Sequence, residues 1–378
     1  MTSADAAAII IPQDLLPADG RFGSGPSKVR SEALQALADA GSAYMGTSHR
    51  RAPVRSMVHR LREAMTAFFG LPGGYEVVLG NGGATAFWDA MAFGLVGSKS
   101  LHYVFGEFSA KCADAIRGAP HLEEPRVVAS DPGSHPAAVE PEEDEDVVAL
   151  THNETSTGVS MSVERPRGDV LVAVDATSAA GGLRVSPEGF DVYYFAPQKC
   201  FASDGGLWIA LVSQAGLERI GALADSGRYI PPSLNLQTAV DNARKDQTYN
   251  TPALATLFLT VHQAEHMVEQ GGLEWAAGRC DRSADILYGW AEASAFAQPF
   301  VADPAMRSRV VGTIDFNEGV DAAVISAALR ANGIVDSEPY RKLGRNQLRV
   351  AMYPAIEPDD VQRLTACIDH VVERLGAN

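Results

Sequence analysis

From about Gly20 to Thr260, short apolar runs alternate with longer stretches whose apolar residues return every three or four positions. That is the pattern of sheet strands separated by amphipathic helices. The predicted strands are Glu76–Leu79, Leu101–Phe105, Arg126–Ala129, Val147–Thr151, Val170–Val174, Val192–Phe195 and Leu207–Val212. Several are valine-rich without polar alternation, which predicts burial on both faces. The acidic run Glu140–Asp146 is read as a solvated loop. Helices are predicted over Pro252–Gln270 and Leu273–Ala293. Beyond Pro304, a strand Val310–Phe316, a helix Val320–Asn332, a strand Leu348–Met352 and a helix Pro358–Leu375 describe a smaller α+β unit. No internal repeat or low-complexity tract interrupts this order.

Two predicted strand ends carry chemistry. In YYFAPQKCFASDGG, Tyr193–Gly206, Lys199 falls just past a strand, with Gln198 before it and glycines after it. In DVLVAVDATSAAGG, Asp169–Gly182, an apolar run ends in Asp175 and small hydroxyl residues. A lysine that forms a Schiff base and a carboxylate that keeps a pyridine nitrogen protonated are what pyridoxal phosphate chemistry requires. A third segment, EVVLGNGGATAF at Glu76–Phe87, reads as strand, glycine turn and helix start, which aims backbone N–H groups at an anion such as a cofactor phosphate. Alone it is a weak signal, since glycine turns between strand and helix often serve packing only. Thr85, Thr155 and Thr177 would add hydroxyl donors.

Composition narrows the partners. The chain has 378 residues, 46% of them hydrophobic, enough for two domains or one large domain with an appendage. With 31 basic against 47 acidic residues the net charge is −16, which argues against nucleic acid or an anionic membrane as partner. The four cysteines, Cys112, Cys200, Cys280 and Cys367, are widely spaced and suggest neither a disulfide framework nor a zinc ribbon, as in a reducing cytoplasm. The short apolar run Ala6–Ile11 lacks the flanks and length of a signal peptide, and no stretch approaches the roughly 20 apolar residues of a membrane span.

Against that acidic background two basic clusters stand out. His49-Arg50-Arg51 with Arg55 is one, and Arg341-Lys342-Leu343-Gly344-Arg345 with Arg349 is the other. Both would serve an anionic substrate, since the arginine fork matches carboxylate and phosphate oxygens in pairs. Arg349 opens a predicted strand, where an inward charge needs a partner. Arg60 and Arg62, on a helical pattern, are left to the surface. His262, Glu265 and His266 have the spacing of a zinc-protease helix, but nothing else in the chain asks for a metal, and none is expected. Cys200 is read as a packed thiol.

At these residues the chain resembles the phosphoserine aminotransferases, a group in the class V branch of the fold type I pyridoxal phosphate enzymes. The shared motifs, in order, are FGSGPSKV, TSHR at Thr47–Arg50, the NGGAT turn, THNETSTGV at Thr151–Val159, VDATSAAGG, APQK ending at Lys199, and YNTP at Tyr249–Pro252. The resemblance implies a mainly parallel mixed sheet in a large cofactor-binding domain, residues 16–262. It also implies a smaller α+β C-terminal domain, residues 263–378, joined by the N-terminal segment 1–15. It implies Lys199 as the cofactor-bearing lysine and Asp175 as partner of the ring nitrogen, with Gly83, Ala84, Thr85, Phe108, Thr155, Thr177 and Gln198 around the cofactor. Phe108 falls where many relatives stack a tryptophan, and Ala84 where an arginine often stands.

By the same resemblance Asn250 and Thr251 reach across a homodimer interface to the partner's cofactor. His49 and Arg50 read the distal acidic group of the substrate, and Arg349 reads its α-carboxylate. A His-Arg pair common in relatives before the last arginine is replaced by Lys342 and Leu343, so the substrate phosphate falls to Arg341, Lys342 or Arg345. The implied reaction converts glutamate and 3-phosphohydroxypyruvate to 2-oxoglutarate and O-phosphoserine, with the phosphohydroxythreonine pair of pyridoxine synthesis as a second substrate. The rivals are an alanine–glyoxylate type transaminase, a cysteine desulfurase and a silent cofactor-binding regulator. Against them stand, in turn, the cationic clusters, the helical setting of Cys280 and Cys367, and the full set of catalytic residue types.

Overall fold

The computed structural model describes residues 8–376. The first residues of the run Ala6–Ile11, and of the segment 1–15, lie outside that range. The first helices among the described residues are α1 (Ser31–Tyr44) and α2 (Ala52–Phe69). In α2, Val54, Val58, Leu61, Met65 and Phe68 recur at helical spacing and are buried, Pro53 sits in the first turn, and Gly70 ends the helix at φ 59°. Full burial of one such leucine contributes about 2 kcal/mol.

A seven-stranded sheet follows. Its strands are β1 (Glu76–Asn81), β2 (Lys99–Val104), β3 (Arg126–Ala129), β4 (Glu145–Thr151), β7 (Leu171–Asp175), β8 (Val192–Phe195) and β9 (Leu207–Val212). The hairpin strands β5 (Asn153–Glu154) and β6 (Val159–Ser160) intervene between β4 and β7. The spatial order is β1-β9-β8-β7-β4-β2-β3, with β9 antiparallel to both neighbours and the other pairs parallel.

The valine-rich strands are buried on both faces because alternate side chains enter two different cores. Val148, Val172, Val174, Tyr193 and Phe195 join the larger one, and Val147, Leu171, Ala173, Val192 and Tyr194 the smaller. The helices α3 (Gly83–Gly94), α4 (Glu107–Arg117), α5 (Gln214–Asp225) and α6 (Leu236–Ala243) belong to this part of the chain.

The acidic run is not wholly solvated as expected. Glu145 opens β4 and is buried, because Arg126 of β3, on the far side of β2, grips both its oxygens at 2.7 Å. Asp146 accepts from the N–H groups of Gly97 and Ser98, so it pins the entry to β2.

The long helices α7 (Leu254–Gln270) and α8 (Gly272–Ala293) lead to a three-stranded antiparallel sheet, β10 (Ala297–Pro299), β11 (Val311–Phe316) and β12 (Gln347–Ala351), with α9 (Ala322–Ala331) and α10 (Pro358–Leu375). Residues 262 and 263, the expected domain boundary, lie inside α7, which ends only where Gly271 takes φ 126°. The N-terminal stretch runs along this second sheet. Ile11 N–H donates to Asn332 Oδ1, Val335 N–H to the Gly20 carbonyl, and Ala351 N–H to the Phe22 carbonyl. From there the chain crosses to the large sheet, where Ser27 N–H donates to the Gln198 carbonyl at 2.8 Å.

Candidate active site

The parallel strands β4, β7 and β8 end at one edge of the sheet, with Thr151, Asp175 and Tyr194 side by side in register. In such sheets the crevice beyond the carboxyl ends of the strands is where ligands bind. Here it is a cavity of about 400 Å³. It is lined by Gly83, Ala84, Thr85, Phe108, Thr155, Asp175, Thr177, Gln198 and Lys199, so the structure brings these sequence-predicted residues together.

Lys199 stands on the turn after β8 and is 8% exposed. Its Nζ donates to the Ser24 carbonyl at 2.5 Å. Burial first, and the Arg349 charge second, push its pKa down to about 8. Asp175 is the last residue of β7 and is 4% exposed. Oδ1 accepts from Thr177 N–H at 2.9 Å and Thr177 Oγ1 at 2.6 Å, and Oδ2 accepts from the indole N–H of Trp88 at 2.8 Å. Burial nevertheless raises the Asp175 pKa above the carboxylate norm, and the Thr177 and Trp88 donors oppose it.

Across the cavity, α3 begins at Gly82 and Gly83, with φ 112° and 72°. The first N–H groups of a helix have no partner within it, and a side chain at Gly83 would meet nothing within 4 Å, so the turn offers open donors to an anion. Ala84 is buried and Thr85 exposed beside it. Phe108, in the first turn of α4, is held by Glu154. That carboxylate is fully buried and accepts from the N–H groups of Phe108 and Ser109 at 3.1 and 2.9 Å, the expected place for an acid at a helix start. Thr155 turns its hydroxyl to Ser178 at 2.7 Å.

Arg349, on β12, reaches the same place from the second sheet. Its Nη1 donates to the Thr155 carbonyl at 3.1 Å, and the guanidinium lies 5.4 Å from the Tyr340 ring centre. Its Nε is buried without a hydrogen-bond partner, as is Gln198 Oε1. Burial lowers the Arg349 pKa.

The other predicted residues do not line this cavity. His49 Nδ1 lies 3.1 Å from Thr251 Oγ1, and the Thr251 carbonyl accepts from Asn81, next to the glycine turn, at 2.9 Å. Asn250 borders a neighbouring hollow beside Trp208, and Arg50 donates to Gln247 at 2.9 Å. Lys342 pairs with Glu107. Arg345 clasps Asp315 and lies 4.5 Å over the Phe300 ring, while exposed Arg341 has no ion pair among the described residues. The histidine pair on α7 is engaged elsewhere: His262 lies 3.1 Å from Arg30 Nη2, Glu265 holds Arg60, and His266 faces Trp275. Arg62 pairs with Asp246, and Cys200 is buried. Sequence reading missed Trp88, Glu154, Tyr340 and the carbonyl of Ser24, although each lies in or directly beside a segment it singled out: the glycine turn, the NET motif, the Arg341 cluster and FGSGPSKV.

These residues fit pyridoxal phosphate. Among the described residues Asp175 has no cationic partner, and a protonated ring nitrogen would be one. The open donors at α3 suit the phosphate, the Phe108 ring lines the cavity wall, and among the described residues Lys199 Nζ is the only amine lining the cavity.

Residues 135–364 match the family model for class V aminotransferases. The chain is 59% identical to the phosphoserine aminotransferase of Rhodococcus jostii over 97% of its own length and 99% of the relative's. To the phosphoserine aminotransferase of a Nocardioides species it is also 59% identical, over 97% of this chain and 99% of that one. Its fold is similar to the crystal structure of a phosphoserine aminotransferase from Cytophaga hutchinsonii, with TM-score 0.86 and 24% identity over 93% of this chain and 99% of that one. It is also similar to a pyridoxal-phosphate-bound phosphoserine aminotransferase from Trichomonas vaginalis, with TM-score 0.78 and 18% identity over 93% of this chain and 99% of that one.

Proposed function

The chain belongs to the class V aminotransferases and, within them, to the phosphoserine aminotransferases, and from that premise we propose that it moves the amino group of L-glutamate to 3-phosphohydroxypyruvate. The products are 2-oxoglutarate and O-phospho-L-serine, the amino-acid step of serine biosynthesis. The observation that carries this reading is one cavity holding a buried lysine amine, a buried acid without a cationic partner among the described residues and a glycine-opened helix start.

Pyridoxal phosphate, when bound, supplies the electron sink that makes the Cα proton of an amino acid removable. Lys199 would bear it, Asp175 would hold its ring nitrogen, and Gly83, Ala84, Thr85, Thr177 and Gln198 would surround its phosphate and rim. Thr155 would stand near its ring oxygen, and Phe108 would cover one ring face. The chain's own part is proton transfer and orientation. Lys199 Nζ takes the Cα proton of the amino donor and hands it on within the same half of the cycle, so it is base and then acid in each half. With its pKa near 8, the neutral amine is accessible around neutrality, whereas an ordinary lysine is almost wholly protonated there. Arg349, with Nε free, offers its fork to the α-carboxylate.

The distal phosphate goes to the rim cations. Arg345 is tied to the buried Asp315, so the phosphate on this side goes to Arg341 and to Lys342, whose partner Glu107 is half-buried. His49, Arg50, Asn250 and Thr251 form the other side, and a second copy of the chain would complete the site through them. Four buried, unpaired cysteines favour the cytoplasm. Among the described residues no helix is long and apolar enough to cross a membrane.

The test is the visible spectrum of the cofactor-loaded protein mixed separately with glutamate, O-phosphoserine, serine and alanine. Conversion to the amine form by the first two alone supports the reading. Conversion by alanine or serine with none by O-phosphoserine returns the chain to the alanine–glyoxylate type.

A further inference from the structure

The stretch Gly23–Ser27 has had no part in the mechanism, yet it touches the reacting amine. The carbonyl oxygen of Ser24 accepts from Lys199 Nζ at 2.5 Å, and the same oxygen accepts from the Tyr353 hydroxyl at 3.0 Å. Ser24, Tyr353 and Lys199 are 4%, 0% and 8% exposed, so no bulk water competes for this oxygen. They come from three parts of the chain: the crossing before α1, the segment after β12 and the turn after β8. Gly25 makes the approach possible, because a Cβ there would lie 2.2 Å from Lys199 Nζ. A carbonyl oxygen has two lone pairs, and here each has a donor.

We propose that Tyr353 is a positioning residue for Lys199: by filling one lone pair of the Ser24 carbonyl, it fixes that oxygen as the resting acceptor of the free lysine amine and keeps the amine's hold on it weak enough to release. The proposal rests on the transaminase reading, in which Lys199 must be unbonded when it moves the Cα proton. A carbonyl that already accepts a phenol O–H is a poorer acceptor for a second donor. Without the phenol, the oxygen would hold the lysine ammonium more firmly, while the crossing segment would keep its backbone ties to the second sheet at Phe22 and Gly20. The Tyr353 hydroxyl remains a donor at all working pH values, since burial raises its ionisation well above normal. The charged and titratable groups that bear on Lys199 are Arg349 from β12, Asp175 from β7, Glu154 from β5 and Cys200 from its own turn. Loss of one neutral hydroxyl alters none of these charges.

The experiment is Tyr353→Phe in the full-length chain. With cofactor removed, the acylation of Lys199 by isotope-coded acetic anhydride is followed by mass spectrometry across neutral to alkaline pH. The expected result is a rise in the Lys199 midpoint of about half to one pH unit. In the cofactor-loaded enzyme, kcat falls several-fold, its pH profile moves the same way, and KM for glutamate stays within about twofold. A folded variant whose midpoint is unchanged or lower overturns the proposal. If Tyr353→Phe does not fold, 3-fluorotyrosine placed at position 353 serves instead: it is a stronger donor of nearly the same shape, and the midpoint must fall. An unmoved midpoint there overturns the proposal equally. The acylation needs no substrate, so failure of the chain to use glutamate would count against the transaminase reading and leave this readout intact.

Discussion

The floor of the cavity and its rim carry comparable charges in opposite circumstances. On the floor, Lys199, Asp175 and Glu154 are buried, and each is held by backbone groups or by neutral donors fixed in the core. At the rim, Lys342 and Arg345 are exposed and paired with the carboxylates of Glu107 and Asp315, and Arg50 leans on Gln247. A buried charge is costly unless its partners are in place, so the floor has one geometry. A charge in water exchanges partners at little cost, so exposed Lys342 can leave Glu107 for a substrate phosphate, whereas Arg345 stays with the buried Asp315. Cofactor chemistry sits where geometry must be constant, and substrate selection sits where it can adjust.

The comparison can be broken most severely at Lys199. Lys199→Ala is expected to reduce turnover at least about 1,000-fold while the chain still folds, measured as steady-state transamination beside a thermal melt. Asp175→Asn should follow, with a loss on the order of 100-fold and weaker cofactor retention on gel filtration, because a neutral amide cannot hold a protonated ring nitrogen. Trp88→Phe keeps the acid and removes one donor to it. We expect about a tenfold loss in kcat with KM nearly unchanged, and parallel losses in kcat and KM would show that the indole only packs.

A pH experiment sharpens the contrast further. The Lys199 pKa is lowered in the folded chain to about 8 from 10.5, so between those values the unfolded chain holds a proton that the folded chain has released. Stability from this group therefore increases as pH rises through that window, by up to about 1.4 kcal/mol per pH unit, and is lowest below it. Urea unfolding of the cofactor-free chain and of Lys199→Met should differ in slope across this interval and run parallel below it. The smallest effect belongs to the rim. Glu107→Gln frees Lys342 and should lower KM for O-phosphoserine by no more than about fivefold, without changing KM for glutamate. A large change in kcat there would place Glu107 among the floor groups.

Much of the floor was legible because strand ends announce themselves. Asp175 and Lys199 each follow a valine- or tyrosine-rich run and precede small residues, and the expected strands agree with β7 and β8 to within a residue. The glycine pair before α3 was legible for the same local reason, since only glycine takes φ values of 112° and 72° readily. Glu145 was misread because its partner Arg126 belongs to another strand, and a run of acids gives no sign of which one turns inward. Trp88 lies one residue after Phe87 in an apolar helix and looks like core; its indole nitrogen matters only because α3 packs over the end of β7.

The sequence by itself determined the alternation of strands and helices, the two strand ends bearing acid and lysine, and the glycine turn, because each depends on neighbours within a few positions. Only the tertiary structure decided which of the basic residues are spoken for, which donors hold Asp175, and that the Ser24 carbonyl meets both Lys199 and Tyr353. Those contacts join residues far apart in the chain, and a hydrogen bond's partner is set by where the packed elements come to rest.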